Sequence, residues 1–109
     1  HPPRLEEASR GLELPPDGVH WLVERGIVLR VAEDYYVERT AFRSLVRQLL
    51  GHMRDIEGGV LTPQAFKEIS GLSRRHAIPF LEFLDRQRIT LRTPKGRAAR
   101  DVPEWAGPA

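Results

Sequence analysis

The chain has 109 residues, no cysteine, 40% hydrophobic content and a formal net charge of +2. That length allows one ordinary domain or two very small ones, and the absence of cysteine excludes disulfide staples and thiolate zinc sites. No apolar run approaches the ~20 residues of a membrane span, and the N-terminus does not read as a signal peptide, so a protein of the reducing cytoplasm is expected, with no membrane partner.

Residues 1–38 open with Pro2-Pro3 and a short helix over Arg4–Ser9, with Pro in its first turn and Gly11 at its end. A second helix is predicted over Glu13–Arg25, with Val19, Leu22 and Val23 on its apolar face and Gly26 as its stop. Ile27–Val31, the turn Ala32-Glu33-Asp34 and Tyr35–Val37 read as a hairpin. Phe42, Leu45, Val46, Leu49, Leu50, Met53 and Ile56 then recur at helical spacing, which predicts a long helix over 39–57. Arg39, Arg43, Arg47 and Arg54 lie mostly off that stripe.

Gly58-Gly59 breaks the chain and Val60-Leu61 is a short extended piece. Thr62-Pro63 is an N-cap followed by proline at N1, opening a helix with Phe66 and Ile69 inside. Ser70-Gly71-Leu72 is a turn, and Ser73 is a suitable N-cap for the next helix. That helix starts Arg74-Arg75-His76 and continues with Ala77, Ile78, Phe80, Leu81, Phe83 and Leu84 as its apolar run. Pro79 within it predicts a kink or a late start. Two β-type runs follow around Thr93-Pro94-Lys95-Gly96, and residues 102–109 read as a tail. Helix, turn, helix and basic hairpin outline a winged helix-turn-helix.

The same pattern occurs twice. Leu5–Ser9 matches Phe66–Ser70, Gly11-Leu12 matches Gly71-Leu72, and Arg25–Arg30 matches Gln87–Arg92, with an offset that drifts only from 60 to 62 residues. The expected fold is therefore mainly α with small β-hairpins: tandem winged helix-turn-helix modules, the first (1–38) lacking its opening helix and the second (39–101) complete.

Charge separates the copies. Residues 1–38 hold four basic and eight acidic side chains, net −4; residues 39–109 hold 13 and seven, net +6. The first recognition helix starts with Glu13 and Asp17 and its turn carries Glu33 and Asp34. The second starts with Arg74, Arg75 and His76 and its wing carries Arg92, Lys95, Arg97 and Arg100. Cations are disfavoured at a helix N-terminus unless an anion docks there, where N–H groups, dipole and guanidiniums converge on it. A polyanion is expected on residues 39–101, with 1–38 dispensable for holding it. No GxxxxGK[ST] loop, GxSxG elbow or HExxH motif is present, Glu82 and Asp85 read as an ordinary exposed helix face, and the four histidines lack metal spacing. A non-enzymatic chain without cofactor or metal is expected.

Leu61-Thr62-Pro63-Gln64-Ala65-Phe66-Lys67, Gly71-Leu72-Ser73-Arg74-Arg75-His76-Ala77-Ile78-Pro79, Leu81-Glu82-Phe83-Leu84-Asp85-Arg86 and Thr90-Leu91-Arg92 resemble the last winged-helix module of the bacterial selenocysteine-specific elongation factor SelB. Residues 2–38 resemble the preceding module more loosely. Arg88 stands where many relatives have glycine. The resemblance implies a fragment that recognises the selenocysteine insertion hairpin of mRNA. The GTPase body of the full-length factor, absent from these residues, would deliver selenocysteinyl-tRNA at the ribosome. Ser73, Arg74, Arg75, His76, Arg92, Lys95, Arg97 and Arg100 are the expected RNA-binding residues. The runner-up is a double-stranded DNA-binding regulator that places the same helix in a major groove. A third class is a protein-interaction module.

Overall fold

The computed structural model describes residues 16–107, with side-chain surroundings from His20 onward. The helix expected over Arg4–Ser9, the Gly11 stop and the first two repeat matches lie outside the described residues. Helix α1 spans Pro16–Glu24, and strands β1 (Val28–Ala32) and β2 (Tyr35–Glu38) form an antiparallel hairpin with a register shift between Arg30 and Ala32. Helix α2 (Arg39–Asp55) follows, then β3 (Val60–Leu61), α3 (Pro63–Ser70), α4 (Arg74–Arg86), β4 (Thr90–Thr93), β5 (Gly96–Ala99) and a short 3-10 helix, Glu104–Ala106. The second sheet is antiparallel in the order β3-β5-β4. This is a winged-helix fold: a three-helix core closed by a small sheet whose β4–β5 turn is the wing.

The predicted stripe on α2 is the centre of the core. Phe42, Leu45, Val46, Leu49, Leu50 and Met53 are all buried. The Phe42 ring meets Phe80 at 5.5 Å, Phe83 at 5.6 Å and Trp105 at 6.2 Å between centroids, so one side chain ties α2 to α4 and to the C-terminal segment. Full burial of such side chains contributes roughly 1.5–3 kcal/mol each. Ile78, counted with the apolar run of α4, is instead exposed. It neighbours Leu81 at the solvent edge of the face that buries Phe80, Leu81 and Leu84.

Pro79 does not delay α4, which begins at Arg74. The proline has no N–H to give the Arg75 carbonyl, a loss of one bond near the helix start. Burial of Phe80, Leu81 and Leu84 just beyond it outweighs that loss.

Residues 102–107, within the segment expected as a tail, fold back on α2. Ala106 is buried, and the Trp105 ring lies beneath the guanidiniums of Arg43 at 5.0 Å and Arg47 at 5.9 Å. Arg47 Nε also donates to the Trp105 carbonyl at 2.9 Å.

The first hairpin belongs to the same core. Val31, Tyr35 and Val37 join one buried cluster with Phe42, Phe80 and Leu81. Arg86 Nη2 donates to the Val31 carbonyl at 2.8 Å, across 55 residues of sequence. A fragment beginning at residue 39 would uncover this part of the core, so residues 28–38 are structurally bound to the second copy despite their opposite charge.

Candidate nucleic-acid interface

The helix-turn-helix is set by local chemistry. Thr62 Oγ1 accepts the Ala65 N–H at 3.1 Å, and Pro63 occupies the first helical position where no N–H is required. Gly71 ends α3 in the left-handed region at φ 67°, with its N–H on the Lys67 carbonyl at 2.9 Å. Buried Ser70 accepts the Leu72 N–H through its hydroxyl at 3.1 Å, tightening the turn. The chain then re-enters a helix at Ser73, whose backbone is extended and whose carbonyl accepts from His76 at 3.0 Å and Ala77 at 2.8 Å.

Ser73 therefore takes the N-cap position, but its hydroxyl makes no capping bond. No acidic residue stands in the first turn. Arg74 and Arg75 are exposed there, and among the described residues neither forms an ion pair. Two exposed cations and N–H groups without a side-chain cap thus share one helix end, which is the electrostatic arrangement of an anion-receiving site.

The other candidates divide into two groups. Arg92, Lys95 and Arg100 are exposed on the wing and at its base. His76 and Arg97 turn inward. The His76 ring stacks on Tyr35 of the first hairpin, 4.5 Å between centroids and 21° between planes. Arg97 Nη2 meets Asp85 Oδ2 at 3.0 Å, with the arginine side chain only 15% exposed. Thr90 Oγ1 donates to the other oxygen, Asp85 Oδ1, at 2.6 Å.

Asp85 therefore does not belong to an ordinary exposed face, contrary to its reading from the sequence. It is half-buried and ties strands β4 and β5 to α4, because the wing folds back over the helix's last turn and supplies two donors to one carboxylate. No spacing rule links residues 85, 90 and 97, and only the tertiary fold brings them together.

Wing geometry depends on Gly96. Its φ is 149°, and a Cβ there would run into the carbonyl oxygen of Leu61 on β3. Thr93 Oγ1 donates to the Gly96 carbonyl at 2.9 Å, closing the two-residue turn Pro94-Lys95. Lys95 is thereby held at the tip.

The long helix α2 adds a basic flank absent from the expected site. Arg39, Arg47 and Arg54 are exposed and Arg43 is half-buried against Trp105. The arginines were legible as off-stripe residues, but the contact of Arg43 and Arg47 with Trp105 was not. Among the described residues no group of His, Cys, Asp or Glu could hold a metal ion, and no helix is long and apolar enough to cross a membrane.

The family described as "Elongation factor SelB, winged helix" matches residues 55–98, the span from the end of α2 through β5. A selenocysteine-specific elongation factor of Desulfomicrobium baculatum is 33% identical over 81 residues, 72% of this chain. This chain carries a SelB winged-helix segment over residues 55–98. It spans 12% of the length of that SelB relative. The fold also matches the mRNA-binding domain of elongation factor SelB from E. coli, solved in complex with SECIS RNA. The TM-score is 0.67 at 23% identity, covering 76% of this chain and 67% of the E. coli one. Within the SelB pattern, the helix-turn-helix and wing described above fall inside the matched residues.

Proposed function

We propose that this chain is the RNA-holding part of a selenocysteine-specific translation elongation factor and that it binds the selenocysteine insertion hairpin of mRNA. The observation that carries the reading is the start of α4, where Arg74 and Arg75 are exposed, unpaired with any carboxylate among the described residues and placed against the helix dipole. The E. coli neighbour's complex with SECIS RNA and the relative's name agree with it. Ser73, Arg74 and Arg75 would take the RNA at the helix end, and Arg92, Lys95 and Arg100 would follow its backbone along the wing. His76 and Arg97 would support these groups from behind.

In this reading residues 39–101 are the RNA-holding module and residues 1–38 are part of a preceding winged-helix module. The chain binds and performs no chemistry. GTP hydrolysis, tRNA delivery and the ribosome contact would belong to the rest of a cytoplasmic factor. A-form RNA has a narrow major groove that excludes a helix, so α4 would meet a loop with splayed bases. Titration of a selenocysteine insertion stem-loop at several salt concentrations tests this. Neutralising about four to six phosphates gives a slope of log K against log salt of roughly −3 to −5. A slope near zero, or a preference for duplex DNA over the stem-loop, would refute it.

A further inference from the structure

The acidic first copy is fastened to the basic recognition helix at both ends of that helix. Near its start, Tyr35 stacks on His76, the residue that follows Arg75. At its last residue, Arg86 holds the Val31 carbonyl at 2.8 Å. Val31 and Tyr35 flank the turn of the first hairpin, whose strands pair through Ala32 and Tyr35 and leave Glu33 and Asp34 at the tip. Both acidic residues are exposed. Asp34 is left-handed at φ 57°, which closes the turn in two residues. The stacked rings thus bring two carboxylates and two guanidiniums into one neighbourhood, Asp34 next to Tyr35 and Arg75 next to His76 in sequence. Among the described residues no ion pair joins them.

The hairpin itself does not require acids at that tip. Its counterpart in the second copy brackets Pro94-Lys95 between Thr93 and Gly96 and carries no carboxylate. The turn charge is free to be chosen, and in the first copy it opposes the charge of the neighbouring helix end.

We propose that Glu33 and Asp34 are specificity-determining residues: they bind nothing, and they form a negative edge at which a polyanion held by Arg74 and Arg75 must end or turn away. The inference rests on the RNA reading above. The ligand that fits is a small RNA stem-loop, whose phosphate path reverses within a few nucleotides. A continuous duplex carries its phosphates onward past His76 and into the acidic turn. Like charges placed across an interface suppress the wrong partner more than they weaken the right one. The repulsion acts over about 8 Å at physiological salt and fades to about 3 Å at 1 M.

The test compares the full chain with the double variant Glu33→Gln, Asp34→Asn. Asn tolerates the left-handed turn, so the hairpin is kept. The probes are a synthetic selenocysteine insertion stem-loop and a blunt RNA duplex with the same number of phosphates. The variant is expected to bind the duplex about tenfold more tightly at low salt and the stem-loop by less than about threefold, with the gap closing near 1 M salt. A control variant, Asp55→Asn, Glu57→Gln, makes the same charge change at exposed positions at and just beyond the end of α2 and should leave the ratio unchanged. A wild-type chain that prefers the stem-loop, with the same preference in the turn variant, overturns the acidic-edge assignment alone. So does a control that shifts the ratio equally. A wild-type chain that holds neither RNA overturns the RNA reading and this inference with it.

Discussion

At the end of α1 the Gly26 N–H donates to the Val23 carbonyl and the Ile27 N–H to the Leu22 carbonyl, both at 3.0 Å. At the end of α4 the Arg88 N–H donates to Asp85 at 3.0 Å and the Ile89 N–H to Leu84 at 3.1 Å. Both are Schellman-type stops, 62 residues apart. The resemblance continues into the hairpins. Arg39 N–H closes onto the Ile27 carbonyl and Arg100 N–H onto the Ile89 carbonyl, each at 2.9 Å. One backbone plan is thus used twice with different side chains. Ile89 is 5% exposed and Ile27 is 42% exposed. Val23 takes the place that Asp85 takes in the second copy. Where backbone bonds coincide and charges do not, the frame does not dictate the charges. That is the physical reason to propose a ligand for Arg92 and Lys95, the exposed cations of the wing.

The largest structural effect expected from breaking this contrast is at Asp85. Asp85→Ala returns the position to the uncharged condition of Val23, but it leaves the half-buried Arg97 guanidinium without its carboxylate and Thr90 without its acceptor. A loss of about 2–3 kcal/mol is expected by denaturant titration, with the wing loosened. A loss below about 0.5 kcal/mol would show that the clasp contributes little.

The two helix stops give a smaller and sharper comparison. Gly26 and Arg88 hold the same left-handed backbone, at φ 71° and 65°. Left-handed φ costs a residue with a Cβ roughly 1–2 kcal/mol. Gly26→Ala should therefore destabilise by about 1 kcal/mol. Arg88→Gly should stabilise by about the same amount, reduced by its weak exposed pair with Asp101 at 3.6 Å. Shifts of the same sign in thermal melts would break the equivalence of the two stops.

Much of this was legible in the sequence, for reasons that particular residues make plain. The α2 stripe is long and regular, so its period fixes the helix and its buried face together. Thr62-Pro63 and Gly71 act through their own backbone and need no tertiary context. The left-handed position of Arg88 was foreshadowed by its alignment with Gly26. The inward turn of His76 and Arg97 was not legible, because their partners Tyr35 and Asp85 lie 41 and 12 residues away. Composition marks both as basic and surface-like, and only packing separates them from Arg74 and Lys95. Charge likewise divided the chain after residue 38, whereas Val31, Tyr35 and Val37 bury their apolar surface in the neighbouring copy. Electrostatic halves and packing units need not coincide.

The central claim is that the charge at the start of α4 is kept for RNA and not for the fold. The double variant Arg74→Ala, Arg75→Ala tests it most directly, with a thermal melt and a stem-loop titration on the same preparation. Removing two cations from the positive end of a helix dipole should leave the melting temperature unchanged or raise it slightly. Loss of two charge-assisted contacts should weaken binding by at least ~3 kcal/mol, about a hundredfold, before coupling between the neighbours. Stability and affinity would then move in opposite directions. Unchanged affinity, or a melt that falls together with binding, would contradict the account.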